Sequence, residues 1–412
     1  MNRISSKIIC SGFPALRHKN FRLFWTGQAI SVIGSWMQSI GQSWLVLELT
    51  HSAFRLSVVT AMQFLPVMVF SLYAGTLADR LSKRRTLIFT QASLAVLATV
   101  LATITYLQVV QYWHILILAL LLGLVNTLDI PTRQAFIVEL VDREHLTNAI
   151  ALNSSIFNLG RVIGPAVAGL LIGLVGIDVC FYINAASFIA VIANLWLICV
   201  PETPPPQKEF GSLRRIYHDI REGLDYIGKR EMIRQPLLLL ALSSMFVMNF
   251  NVFVPVFAQQ ELGQRAGGYG ILMTSMGVGS FIGSLVLVAR SKKGPRLRYL
   301  VGGALCMSVF LLFLARTESL PPACAALFLV GFGSILFTTL VNTTIQLHSS
   351  DEMRGRVMSV YSLVYGGVIP IGSLFAGQVT EYTGASGCMI VSGIIGIVAT
   401  AYSIRAMLRK HK

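Results

Sequence analysis

The sequence predicts an all-α membrane protein of twelve transmembrane helices in two pseudo-symmetric six-helix bundles, and three observations carry that prediction. Over 412 residues, 54% are hydrophobic and only 12% are charged, which lies outside the range of soluble domains. The apolar runs are long and lack the alternation of a barrel strand, so helices must satisfy their backbone groups in hydrocarbon. Residues also match across the two halves at one constant offset of 208, which marks a duplicated unit.

Taken in order, the apolar runs cover about 22–47, 56–78, 86–109, 113–135, 147–173 and 179–200, then 236–259, 268–289, 298–315, 321–346, 355–379 and 386–407. The first 20 residues hold basic charge without a short apolar core and small-residue cleavage site, so run 1 is expected to drive insertion itself. If the runs alternate from a cytoplasmic N-terminus, 29 of the 33 Lys and Arg fall in cytoplasmic segments. Only Arg55, Arg265 and Arg316 then face outward, with Arg161 inside the membrane. Dropping one helix would invert every later loop, so this asymmetry sets both termini in the cytoplasm of a cell inner (plasma) membrane protein. The net charge of +15 is thereby explained by topology, and no nucleic-acid partner is expected.

Pro201, Glu202, Thr203, Pro204, Pro205 and Pro206 end run 6 and open the one long hydrophilic interruption. Leu213, Ile216, Tyr217, Ile220, Leu224 and Ile227 then share one helical face, with Arg214, Arg215 and Arg221 elsewhere. This is the pattern of a basic amphipathic helix lying on the cytoplasmic membrane surface, or simply of a connector. The expected organisation is a bundle over 1–200, a linker over 201–235 and a second bundle over 236–412. The offset of 208 pairs Gly75 with Gly283, Gly123 with Gly331, Gly164 with Gly372, Gly176 with Gly384 and Cys180 with Cys388. Parallel repeats of this kind place a substrate site near the midplane between them.

Polar residues single out run 1. Gln28, Ser31, Ser35, Gln38 and Gln42 recur at spacings of 3 and 4, so they share one quadrant of a helix, with Gly27, Gly34 and Gly41 beside them. Such a stripe faces either a wet cavity or partner helices. Ser244, Met248 and Asn251 form a weaker counterpart in run 7, and Asn126 and Asn158 are further candidates to line the cavity. Ionisable residues inside the hydrocarbon are few. Arg161 lies in run 5; Asp129 lies in run 4, after Asn126 and before Arg133. Asp129 is the candidate proton carrier, although Asp129-Ile130-Pro131 could instead break the helix with Asp129 as a cap. Cys10, Cys180, Cys199, Cys306, Cys324 and Cys388 are scattered without metal-ligand spacing, so no metal site is expected. No Walker loop or Gly-x-Ser-x-Gly stands in the sequence, which argues against an ATP-driven pump and a hydrolase.

Two motifs carry a resemblance. GTLADRLSKRRTL, from Gly75 to Leu87, follows run 2 and resembles signature A of the major facilitator superfamily, with Ser82 where the family usually has a second glycine. The resemblance implies that Gly75, Asp79, Arg80, Lys83 and Arg84 form a conformational latch between the halves in the outward-facing state. The copy after run 8 keeps Gly283 and the bases Arg290, Lys292, Lys293, Arg296 and Arg298 but has no aspartate. Gly160-Arg161-Val162-Ile163-Gly164-Pro165-Ala166-Val167-Ala168-Gly169 in run 5 resembles the family's antiporter signature C, with Gly160, Gly164, Pro165 and Gly169 as the packing positions. Signature B is missing, because no arginine precedes Gly123 in run 4. The stretch from Phe13 to Phe24 is similar to the drug and siderophore exporter branch that includes enterobactin and macrolide exporters. The resemblance implies a monomeric transporter without a cofactor, driven by the proton gradient, that exports a small amphipathic molecule by alternating access. A lipid or lysophospholipid flippase, or a non-transporting receptor or assembly partner, stays open beside it.

Overall fold

A computed structural model describes residues 13–199, 213–290 and 297–409; the side chains of 72, 76, 79, 213–219 and 407–409 also lie outside the description. The proline-rich stretch from Pro201 to Pro206, and Lys292, Lys293 and Arg296, therefore lie outside it. Every long element is a helix, and no strand occurs among the described residues.

A short turn of 3-10 helix, Pro14–Arg17, leads into α1 (Lys19–Thr50). Then follow α2 (Ala53–Arg80), α3 (Lys83–Tyr106), α4 (Tyr112–Leu140), α5 (Leu146–Leu174) and α6 (Ile177–Leu197). Their boundaries have local causes. His51 adopts a left-handed φ of 49° to end α1, and the Ser52 side chain accepts the Arg55 N–H to start α2. Gln111 and His114 form a reciprocal capping box on α4.

In the second half, α7 (Leu213–Lys229) precedes α8 (Glu231–Leu242) and α9 (Phe250–Val256), followed by α10 (Ala266–Arg290), α11 (Leu297–Leu314) and α12 (Leu320–His348). The chain closes with α13 (Asp351–Gly366) and α14 (Ile369–Arg409), the last bent at Gly384, where φ is 75°. Among the described residues ten stretches are long and apolar enough to cross a membrane. Counting α1, whose glutamines and serines lower its hydropathy, and dividing the stretch from Asp351 to Ala406 at Gly384, the chain has twelve crossings.

Two runs differ from the expectation of continuous helices. Run 7 is interrupted by π-helical turns at Ser243–Val247 and Phe257–Glu261, with Asn249 outside helical geometry at φ −89° and ψ 42°. Run 11 breaks between α13 and α14. Breaks of this kind are tolerated in a membrane where they are buried in protein. The amphipathic helix α7 docks along α13: its Glu222 pairs with Arg356 at 2.8 Å, and the Ser350 N–H donates to the Tyr226 hydroxyl at 2.9 Å.

The duplication is visible in three dimensions. Gly176 and Gly384 both turn at positive φ, and the thiols of Cys180 and Cys388 meet the carbonyls of Ala168 and Ala376 at 4.0 and 3.6 Å. All three pairs are 208 residues apart. Within the first half, α1 packs on α5 and α6, α2 on α4, and α3 on α6; α10 on α12 and α11 on α14 repeat the pattern. Between the halves, α5 packs on α10 and α2 on α14.

Candidate functional site: a polar cavity between the halves

Two glycine stripes set the position of the cavity. Gly27, Gly34 and Gly41 face α6, where an added Cβ would meet Asn194, Asn184 and Phe181 at 2.9, 2.7 and 3.0 Å. The stripe thus brings α1 against α6 and turns the polar quadrant toward α2 and α4. Gly160 and Gly164 bring α5 against Val32 and Trp36 of α1, while a Cβ at Gly169 would lie 3.0 Å from Gly270 Cα. Helix α5 runs unbroken through Pro165.

The cavity occupies the space left between these contacts. One chamber of about 140 Å³ is lined by Ser35, Gln38, Gln42, Asn126, Arg133, Asn184 and Asn251 with Phe64 and Phe188. An adjoining chamber of about 310 Å³ shares Ser35, Asn126, Arg133 and Asn251 and adds Trp36, Phe157, Ile130, Gln134 and Asn153. Asn251 on α9 is the second half's contribution among the lining residues of both chambers.

At the edge of the cavity stands a buried charge pair. Asp129 is fully buried and bonded to the Arg133 guanidinium one turn on along α4. Two residues of α3 complete its shell: the Thr90 hydroxyl and the Gln91 amide donate to Asp129 Oδ1 at 2.7 and 2.9 Å. Arg133 also donates to the side-chain oxygen of Gln28 on α1. The network therefore ties three helices together, as a membrane-buried acid requires. Helix α4 continues through Pro131 to Leu140, so Asp129 does not cap a new segment there. Thr90, Gln91 and Arg133 are functional candidates that sequence reasoning left out of the site.

The other sequence-predicted residues are placed as follows. Ser31 is buried, and Gln38 accepts a hydrogen bond from Asn184 at 2.6 Å. Arg161 stacks on the Trp36 ring, 5.5 Å from its centroid, and has no acid partner among the described residues. Asn158 bonds back to its own helix at Ser154, and the Ser244 hydroxyl lies 4.0 Å from Met248 Sδ; Gln28, Ser31, Asn158, Arg161, Ser244 and Met248 line neither chamber. In the latch cluster, Lys83 pairs with Glu139 at 2.6 Å and Arg84 donates to the carbonyls of Leu195 and Trp196, all within the first half. An added Cβ at Gly75 would have no neighbour within 4 Å, and the Asp79 side chain lies outside the described residues.

Among the described residues the closest contacts between the halves gather toward one end and reach the middle of α5 and α10, where a Cβ at Gly277 would meet the Arg161 carbonyl. Around residues 51–57 a Cβ at Gly377 would collide with Ser57, and Glu381 accepts hydrogen bonds from the Ser52 hydroxyl and the Phe54 N–H, each at 3.0 Å. Leu56, Ser57, Val59 and Ala61 are buried, whereas Val69, Phe70, Tyr73 and Leu77 farther along α2 are exposed. On α10, Tyr269 to Met273 are mostly buried while Ile282, Leu285 and Val288 are exposed. The cavity is sealed at the end of the 51–52 turn and splayed toward the end that carries the 81–82 and 141–145 turns.

Two pseudo-symmetric six-helix halves around a polar cavity closed at one end define a multi-pass membrane transporter rather than an enzyme. The chain belongs to the transmembrane secretion effector family of the major facilitator superfamily, whose model matches residues 10–412. It is 26% identical to the staphyloferrin A transporter of Staphylococcus aureus, over 92% of this chain and 94% of that protein. It is 23% identical to macrolide efflux protein A of Streptococcus pyogenes, over 91% and 93% of the two chains. The multidrug efflux pump Tap of Mycolicibacterium fortuitum is 22% identical over 89% and 91%. Among solved structures, the fold resembles a bacterial homologue of the human lysosomal transporter Spinster with a TM-score of 0.76, at 14% identity over 95% and 96% of the chains. The nucleoside transporter NupG follows with a TM-score of 0.73 at 13% identity, over 94% and 98%.

Proposed function

We propose that the protein exports a small amphipathic molecule of the drug or siderophore class across the cell inner membrane, in exchange for protons, by rocking residues 1–200 against residues 236–412. With both termini in the cytoplasm, the splayed end of the cavity faces inward. The observation that carries this reading is the Asp129–Arg133 pair: a fully buried acid whose partner lines both chambers. A proton arriving on Asp129 would neutralise the carboxylate and release Arg133 from its strongest partner. A substrate with acceptor oxygens could then engage Arg133, and a proton and a substrate would each change what holds that side chain. Trp36, Phe64 and Phe157 supply apolar surface in the same space, which suits a ligand that is partly ring or hydrocarbon.

The latch reading of Gly75, Asp79, Arg80, Lys83 and Arg84 fits the splayed end. There Lys83 and Arg84 make their contacts with Glu139, Leu195 and Trp196 inside the first half, as they would while the latch is open. The family relatives, which carry names for staphyloferrin A, macrolide and multidrug transport, support the substrate class. The test is uptake by inverted vesicles of a panel spanning macrolides and polycarboxylate siderophores, with and without an imposed pH gradient. Gradient-dependent uptake of a panel member, abolished by Asp129→Asn, is expected. Movement of labelled phospholipid without uptake of any panel member would replace export with a flippase activity.

A further inference from the structure

Away from the cavity, three metal-ligating side chains from two distant stretches of sequence converge at the splayed end of the first half. His18 Nε2 lies 2.9 Å from His145 Nδ1 and 3.8 Å from Asp142 Oδ2, and the three donor atoms lie within 4.8 Å of one another. Two imidazole nitrogens and one carboxylate oxygen are the donor set that zinc and its neighbours in the first transition row accept. In a tetrahedral site with bonds of about 2.0–2.2 Å, donor atoms sit roughly 3.3–3.5 Å apart. The observed 2.9 and 3.8 Å straddle that value, so small side-chain rotations would suffice.

The backbone beneath these side chains is held in place. His18 closes the 3-10 turn Pro14–Arg17 and precedes α1, while Asp142 and His145 flank the turn between α4 and α5. The Ala15 N–H donates to Asn148 Oδ1 at 3.1 Å and the Trp25 indole to the Leu152 carbonyl at 3.1 Å, which joins the two segments on either side of the cluster. Ala15, Phe21, Phe136, Leu140 and Ala149 form the buried floor. Asp142 is 82% exposed, so one side of the cluster is open for an ion to enter and for water to complete its shell.

We propose that His18, Asp142 and His145 form a divalent transition-metal site, with zinc as the ion whose geometry fits. An ion there would staple the segment before α1 to the turn that joins α4, the helix of Asp129 and Arg133, to α5. The inference does not depend on what the cavity transports.

The experiment is calorimetric titration of Zn²⁺ into the full-length protein, freed of any affinity tag and held in detergent at a pH where imidazole is neutral. Wild type is expected to take up one ion more tightly than its His145→Ala and Asp142→Asn variants by about tenfold or more. His348→Ala, at a histidine bonded to its own helix, is expected to match wild type. Asp142→Asn changes an exposed side chain, so it decides the question if His145→Ala fails to fold. Equal zinc affinity and stoichiometry in wild type and Asp142→Asn would overturn the site, as would wild type that takes up no zinc.

Discussion

Replacing Arg133 by leucine should harm this protein more than replacing Asp129 by asparagine, and the structure says by how much. Asp129 has no solvent exposure, while the Arg133 side chain is 14% exposed toward the cavity. Removing the guanidinium strands a buried carboxylate whose remaining partners are the neutral donors Thr90 and Gln91. Breaking a buried pair in this way costs about 3–5 kcal/mol. Asp129→Asn keeps an acceptor for Thr90 and Gln91 and leaves Arg133 with Gln28 and cavity water. Its cost is that of a disturbed hydrogen-bond network, about 1–3 kcal/mol. The double change Asp129→Asn with Arg133→Leu removes both charges and should be more stable than Arg133→Leu alone, a coupling of about 0.5–3 kcal/mol. Thermal unfolding of the purified variants, followed by tryptophan fluorescence, gives the order wild type, Asp129→Asn, then Arg133→Leu. Uptake into inverted vesicles gives a different order, since every variant without Asp129 loses its response to a pH gradient. A double variant no more stable than Arg133→Leu would show that the pair is not an energetic unit. Asp129→Asn with the wild-type pH response would move the proton site elsewhere.

Three further outcomes concern the two ends at which the halves open and close. Glu381→Gln weakens the charge-assisted bonds to Ser52 and the Phe54 N–H at the start of α2, worth about 1–2 kcal/mol, and should raise the fraction open at that end roughly tenfold in distances between spin labels at 108 and 316. Gly169→Leu places a side chain against Gly270 in the α5–α10 seam and should hold that end apart, so the label distances lengthen and transport stops. Asp79→Asn should enrich the conformation splayed at the 81–82 end while leaving the unfolding temperature near wild type; an unchanged distance distribution would count against the latch.

The parts of this site that were legible in the sequence are those fixed by helical periodicity and by the repeat. A stripe at every seventh residue puts Gly27, Gly34 and Gly41 on one face whatever their partner is, and the partner proved to be α6. The offset of 208 placed Gly176 with Gly384 and Cys180 with Cys388 before their matching geometry could be seen. What was not legible depends on helices meeting across the bundle. Thr90 and Gln91 read as ordinary polar residues of run 3 until α3 packs on α4 and aims them at Asp129. His18 and His145 are 127 residues apart, so no spacing rule connects them. Pro131 has the sequence signature of a break, yet in a packed membrane bundle a single proline can be absorbed without ending the helix.

The repeat also separates the mechanics of the protein from its chemistry. Among the described residues the two most extensive contacts between the halves, α5 on α10 and α2 on α14, are runs 5 with 8 and runs 2 with 11, which the duplication exchanges. They are one contact used twice, and a seam of that kind can rock about its own pseudo-two-fold axis without favouring either half. The buried pair at the cavity and the aspartate of the latch do not obey the same symmetry. At the offset of 208, Asp129 corresponds to Phe337 and Arg133 to Val341, both fully buried and apolar, while Asp79 corresponds to Leu287. On the proposed proton site, protonation of Asp129 would alter the charge of the first half's side of the cavity. The second half, with Asn251 at the cavity and apolar residues where the pair would stand, acts as the surface against which that change is felt. Under that proposal a symmetric hinge would be biased by an asymmetric charge, and the direction of the bias would be set by which end of the cavity gives protons access to α4.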